Sequence, residues 1–226
     1  HARSTKQLPQ DSLVRSQKMV IKDSVNKFIH VVVALCDNKY QGIVPVNANI
    51  GNGQNPSANL YWGCGLGVST MFKRSAEWTL IKSYKRVDSF ILERLVFKHK
   101  TKNFYLVADA YDGQFIAQCA ENAMYSINGK LADTLMVNNK PVGLYGNAQL
   151  VAFCGHNLLM DDIRIAPQMK ESWDSVKRDA IVIACASKPY FSDMLQSVEA
   201  KPLVWSTGLM SAESYTWHAA LSGYVK

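Results

Sequence analysis

The sequence predicts an α/β fold with a mostly parallel central sheet and helices on both faces. Apolar runs of strand length recur as "FIHVVVALC", "NFYLVADAY", "AQLVAFCGH" and "DAIVIACAS". They are nearly continuous rather than alternating, as strands buried on both faces are. Segments of helical period stand between many of them, and that alternation marks a parallel sheet joined by crossover helices.

The elements follow in order. Residues 1–27 are polar and basic and are expected to form a tail; residues 28–226 are enough for one domain with its own core. The first apolar run, over 28–38, ends in the polar pair Asp37 and Asn38. Residues 39–63, dense in Gly, Asn and Pro, read as a loop of roughly 25 residues, a length at which loops are usually functional. Following the first core strand, it is expected to lie over the carboxyl edge of the sheet. "GLGVSTMFKRS" makes a short helix with Val68, Met71 and Phe72 on one face, and "EWTLIKSY" with "FILERLVFKHK" makes a hairpin. "NFYLVADAYDG" is a buried strand ending at Asp109 and Asp112. The helix "GQFIAQCAENAMYSING" then stops at Asn128-Gly129.

The second half repeats the alternation. "AQLVAFCGH" is a strand, "PQMKESWDSVKR" a helix, "DAIVIACAS" a strand and "SDMLQSVEA" a helix. "KPLVWSTG" is a further strand, and "SAESYTWHAALSGYV" a closing helix that starts near Ser211 and Ser214.

Composition narrows the function classes. No run approaches the roughly 18 apolar residues of a membrane span. The net charge of +7 is spread over scattered Lys and Arg residues, so solvated faces are expected and nucleic acid is not an expected partner. The five cysteines are odd in number and form no C-x-x-C pair, which favours buried free thiols and a reducing, cytoplasmic compartment over a periplasmic or secreted one. His30, His99 and His218 have no metal-ligand spacing, "GCGLG" lacks the dinucleotide spacing, and no P-loop is present. No metal or cofactor is expected. Asp161-Asp162 are expected to cap a turn, and Tyr61-Trp62 to fill the core edge rather than line a groove.

In an open parallel sheet, chemistry collects at the carboxyl ends of the strands. Cys36-Asp37, Asp109, His156, Cys185 and Ser206-Thr207 fall at predicted carboxyl ends. Two of them make a chemical pair. A thiol attacks carbonyl carbon as thiolate, and a neighbouring imidazole can take its proton and return it to a leaving amine. Gly155, Ala184 and Ala186 leave room for a peptide to reach both groups.

An apolar strand ending in Gly-His, a helix, and an apolar strand ending in Ala-Cys resembles the caspase-like cysteine peptidases, the group of caspases, metacaspases, gingipain, clostripain, legumain and separase. "FCGHN" and "IACAS" carry the resemblance, within a strand-helix order running from about residue 28 to 226. It implies an α/β/α sandwich, His156 as base, Cys185 as nucleophile and a peptide or protein substrate. Two departures point to a distant, bacterial-type branch. Asn157 stands where the family has a glycine that helps form the oxyanion hole, and Ala-Ser follows the cysteine. The family also walls its main specificity pocket with the end of the first strand. That implies Asp37 as a substrate-binding residue, with Gly155 and Asn157 beside the dyad, and a preference for Arg or Lys before the scissile bond. From the residues alone, three alternatives stay open. One is a hydrolase on a flavodoxin-like sheet using Asp37, Asp109 or Ser187 with His156. Another is a non-catalytic binding module of the same fold. The third is Cys64 as the nucleophile. Asp37 has its own alternative, capping its loop.

Overall fold

The run at 28–34 becomes β1 (Lys27–Ala34), the central strand of a seven-stranded sheet in the computed structural model, which describes residues 25–165, 172–210 and 213–226. In order there follow α1 (Val68–Lys73), β2 (Trp78–Lys85), β3 (Ile91–His99), β4 (Phe104–Tyr111), α2 (Ile116–Asn128), β5 (Ala132–Val137), β6 (Lys140–Tyr145) and β7 (Leu150–Cys154). Then come β8 (Asp179–Ile183), α3 (Ser187–Ser197), β9 (Lys201–Trp205) and α4 (Tyr215–Tyr224).

Across the sheet the order is β2-β3-β4-β1-β7-β8-β9. β1 pairs in parallel with β4 and β7, and β7–β8 and β8–β9 are parallel too. β2 and β3 run antiparallel as the expected hairpin. The register slips between Leu80 and Lys82 in β2, and between Ala180 and Ile181 where β8 meets β9.

Because successive strand residues point to opposite faces, β1 feeds two cores. Phe28, Val32 and Ala34 pack with Cys119, Ala123 and Met124 of α2 and with Phe191 and Leu195 of α3. Ile29, Val31 and Val33 pack with Val68 and Phe72 of α1 and with Trp217 and Leu221 of α4. Gly129, at φ 90°, ends α2 in the left-handed conformation that its missing Cβ allows.

Several expectations are corrected. Residues 172–178 form bends and irregular backbone in place of the expected helix, whose 167–171 part lies outside the described residues. The expected tail lies outside them up to residue 24, and Lys27 already belongs to β1. Ser211 also lies outside them, and α4 starts after Ser214. α3 begins at Ser187, ahead of the expected "SDMLQSVEA". The β5–β6 hairpin was not expected at all. Its turn is Asn138-Asn139, at φ 49° and 60°, the left-handed pair that suits two-residue hairpin loops.

Asp109 is a further correction. β4 continues to Tyr111, so Asp109 lies inside the strand, opposite Val32, and not at its carboxyl end. Its fully buried carboxylate takes Arg94 Nε at 2.6 Å and Nη2 at 2.6 Å, and pairs with His30 Nε2 at 3.0 Å. The Tyr145 backbone N–H donates to His30 Nδ1 at 2.8 Å, which leaves the ring proton on Nε2, facing Asp109. Burial holds His30 below its ordinary pKa, against the pull of Asp109, so the ring is neutral. Burial alone would raise Asp109; Arg94 and His30 outweigh it and hold the carboxyl at about 2. The cluster ties three strands of the sheet to the end of β6.

Candidate functional site

The parallel register sets the site. Cys154 of β7 stands beside Ile183 of β8, and the Gly155 N–H donates to the Ile183 carbonyl at 3.2 Å, extending the ladder one step beyond the strand. The next residue on one chain is His156; two residues past Ile183 on the other is Cys185. Gly155 also passes against β1, where an added Cβ would lie 3.0 Å from that of Ala34. His156 and Cys185 line one cavity of about 500 Å³ with Cys36, at the end of β1. It opens at the carboxyl ends of β1, β7 and β8, next to the strand where the order reverses.

The imidazole has a carboxylate partner. His156 Nε2 lies 2.6 Å from Asp161 Oδ2, so the carboxylate keeps the ring proton on Nε2. Nδ1 makes no hydrogen bond among the described residues and is the basic nitrogen. Asp161 is placed by the short 3₁₀ turn Leu158–Asp161. The Gly42 N–H in the long loop also donates to it, at 3.2 Å. A methyl group at Gly42 would sit 2.5 Å from Asp161 Oδ1, so this approach needs glycine.

Cys185 sits in the turn between β8 and α3. The next residue, Ala186, has φ 46°, a left-handed conformation that costs a non-glycine residue about 1 kcal/mol or more and is held here by its N–H bond to the Gly208 carbonyl. The sulfur is half-buried and contacts the Met210 backbone, accepting from its N–H at 3.5 Å. It stands two residues before α3, at the end where the helix dipole is positive. The backbone N–H groups of His156 and Cys185 have no acceptor among the described residues.

The other thiols differ. Burial pushes Cys36 up to about 11, against a hydrogen bond from Tyr61 that lowers it, so it lines the cavity as a neutral thiol. Burial pushes Cys154 to about 12, and Cys119 is raised well above its ordinary value for the same reason. Cys64 donates to the Leu60 carbonyl at 2.9 Å and does not line the cavity. Tyr61 does line it; burial first, then the neighbouring thiols, raise its phenol, so it stays a protonated donor. Trp62 is core, with its indole N–H on Glu93 at 2.9 Å.

The remaining expected site residues fall elsewhere. Asp37 is 2% exposed and does not reach the cavity. Its Oδ1 accepts the N–H groups of Lys39 and Tyr40, and its Oδ2 accepts Gln54 Nε2 at 2.8 Å. That corrects its assignment as a substrate-binding carboxylate, because the loop consumes its lone pairs. Asn157 is buried, so it supports the site rather than contacting substrate. Its Nδ2 donates to the Cys185 carbonyl at 2.7 Å, and its Oδ1 accepts the Leu159 N–H at 3.2 Å. Ser187 is buried and donates to the Val182 carbonyl, and Asp109 lies within the sheet, so neither meets His156. Asp161 is the site residue that sequence reasoning misplaced, as a turn cap. Its position five residues after a strand-end histidine, with a short turn between, was the available signal. Among the described residues no group of three or more His, Cys, Asp and Glu side chains converges on a metal site, and no helix is long and apolar enough to cross a membrane.

Asn157→Ala should lower stability by about 1–3 kcal/mol, because the Cys185 carbonyl loses its buried donor. Urea unfolding measures this, and an unchanged midpoint would show that the bond carries no weight.

No family model matches the chain, and neither a curated protein nor a solved structure matches it.

Proposed function

We propose that the protein is a cysteine endopeptidase, or a close acyl-transfer enzyme, working through Cys185 and His156. The observation that carries this reading is that the ends of two paired parallel strands deliver a thiol and a carboxylate-bound imidazole to the same cavity. His156 Nδ1 takes the thiol proton, and the sulfur bonds to the substrate carbonyl carbon. The oxygen that gains charge is met by the free N–H groups at the two strand ends. The tetrahedral species collapses, its C–N bond breaks, and His156 returns the proton to the leaving amine. Water, deprotonated by the same nitrogen, then releases the acyl group from sulfur. Asp161 keeps the tautomer that leaves Nδ1 basic; in the Ser-His-Asp triad a carboxylate orients the ring through the other nitrogen, holding Nδ1–H and leaving Nε2 as the base.

Limited labelling with iodoacetamide tests the pair. Cys185 should be alkylated faster than the other four thiols, in step with loss of peptide cleavage, and His156→Ala should slow that alkylation by about tenfold or more. Equal labelling of all exposed thiols, indifferent to His156, would refute the reading. A binding module that keeps the cleft without turnover is the second reading. It has one observation on its side: the sulfur contacts the Met210 backbone and not the imidazole. The same labelling separates the two.

The loop contact supplies a further expectation. Gly42→Ala should displace Asp161 and lower turnover about 10–100-fold without unfolding the protein. Cleavage kinetics alongside circular dichroism measure it; wild-type turnover would show that the Gly42–Asp161 contact does not matter.

A further inference from the structure

We infer that the cavity beside Cys185 and His156 receives a large apolar side chain, such as Leu, Met or Phe, from the residue preceding the scissile bond. The inference rests on the cysteine-peptidase reading and names the substrate that reading leaves open. At about 500 Å³ the cavity lies within the range of specific ligand sites and exceeds what a small side chain would fill. Ile43, Val46, Leu60 and Ile183 wall it. Met160 and Met210 add unbranched thioethers that adapt to differently shaped apolar groups. At the mouth, Val44 is 87% and Leu209 82% exposed, so an apolar rim faces solvent directly above an apolar wall.

The charges point the same way. Among the described residues no Lys or Arg lines the cavity, so an acidic side chain meets no cation from them. The one lining carboxylate among the described residues, Asp161, is committed to His156 and Gly42. Cys36 and Tyr61 stay neutral, so a basic side chain meets no free anion either. A buried charge without a partner is strongly disfavoured. The wall is also held in advance of binding. Asn38 Nδ2 donates to the Val46 carbonyl at 2.7 Å, and its Oδ1 accepts the Val46 N–H at 3.0 Å, which fixes the loop residue that faces the cavity.

The test is a set of peptidyl chloromethyl ketones that differ only in the side chain next to the ketone: Leu, Phe, Lys and Asp. Alkylation of Cys185 in the full chain is followed by mass spectrometry, with Cys64 as internal reference. The Leu and Phe reagents should react at least about tenfold faster than the Lys and Asp reagents, and Val46→Asp should turn the order toward the Lys reagent. A Lys or Asp reagent as fast as Leu would overturn the apolar pocket while leaving the thiol–imidazole pair standing. If Cys185 reacts with every reagent no faster than Cys64, the peptidase reading falls and takes the pocket assignment with it.

Discussion

Replacing Cys185 with alanine is expected to reduce peptide turnover by at least about 10³-fold, with His156→Ala close to the same factor. The double variant should be no slower than either single one, because a nucleophile and its base act as a unit and removing one disables the other. The fold should survive. Cys185 is half-buried at the sheet edge, and losing one sulfur there removes only weak contacts with Met210. Steady-state cleavage with circular dichroism as the structural control decides the matter. A single variant that keeps more than a tenth of the wild-type rate would break the pair.

The second large effect concerns stability. Asp109→Ala should cost about 3–5 kcal/mol, because it strands the Arg94 guanidinium in the core and leaves His30 Nε2–H without an acceptor. The same cluster makes the protein acid-sensitive. The folded pKa of His30 lies below its ordinary 6.5, so on acidification the unfolded chain binds that proton first, and stability falls as pH drops from about 6.5. Asp109 is held at about 2 against an unfolded value of about 3.9, so its contribution is complete above about pH 4 and disappears as pH falls toward 2. Urea unfolding from pH 7 to 2 should show both losses. In Asp109→Ala the loss between pH 4 and 2 should be absent. A variant within 1 kcal/mol of wild type would show that Arg94 finds another partner.

Much of this was legible in the sequence because a parallel sheet writes itself as unbroken apolar runs. "FIHVVVA", "LVAFC" and "AIVI" each became a buried strand, and the residues just past two of them met in a cavity. β5 was missed because its residues are mostly half-exposed, so "ADTLMV" shows neither a continuous run nor clean alternation. The expected helix does not form over 172–178, where Trp173 and Val176, the apolar residues of that stretch, stay exposed and bury no face. Asp109 was placed at a strand end because the apolar run pauses there, whereas β4 continues for two more residues. Its partners sit on strands far apart in sequence, so no spacing motif joins them. The clue was subtler: His30 and Asp109 interrupt the buried apolar stretches of β1 and β4, and Arg94 is a cation at a buried position of β3. Asp37 misled because a carboxylate at a strand end serves a turn as readily as a ligand, and only its three donors reveal which.

The register slips noted at both sides of the sheet bear on how copies of this chain meet. A strand left unpaired at a sheet margin is a template for another chain's backbone, and an uninterrupted margin invites aggregation. Here β2 carries a bulge between Leu80 and Lys82 and exposes Lys82 and Lys85, so an incoming strand meets a kink and two ammonium groups. At the other margin, β9 is five residues long, includes Pro202, which has no N–H to offer, and follows its own slip against β8. Strand-to-strand growth of the seven-stranded sheet is thus obstructed at both margins.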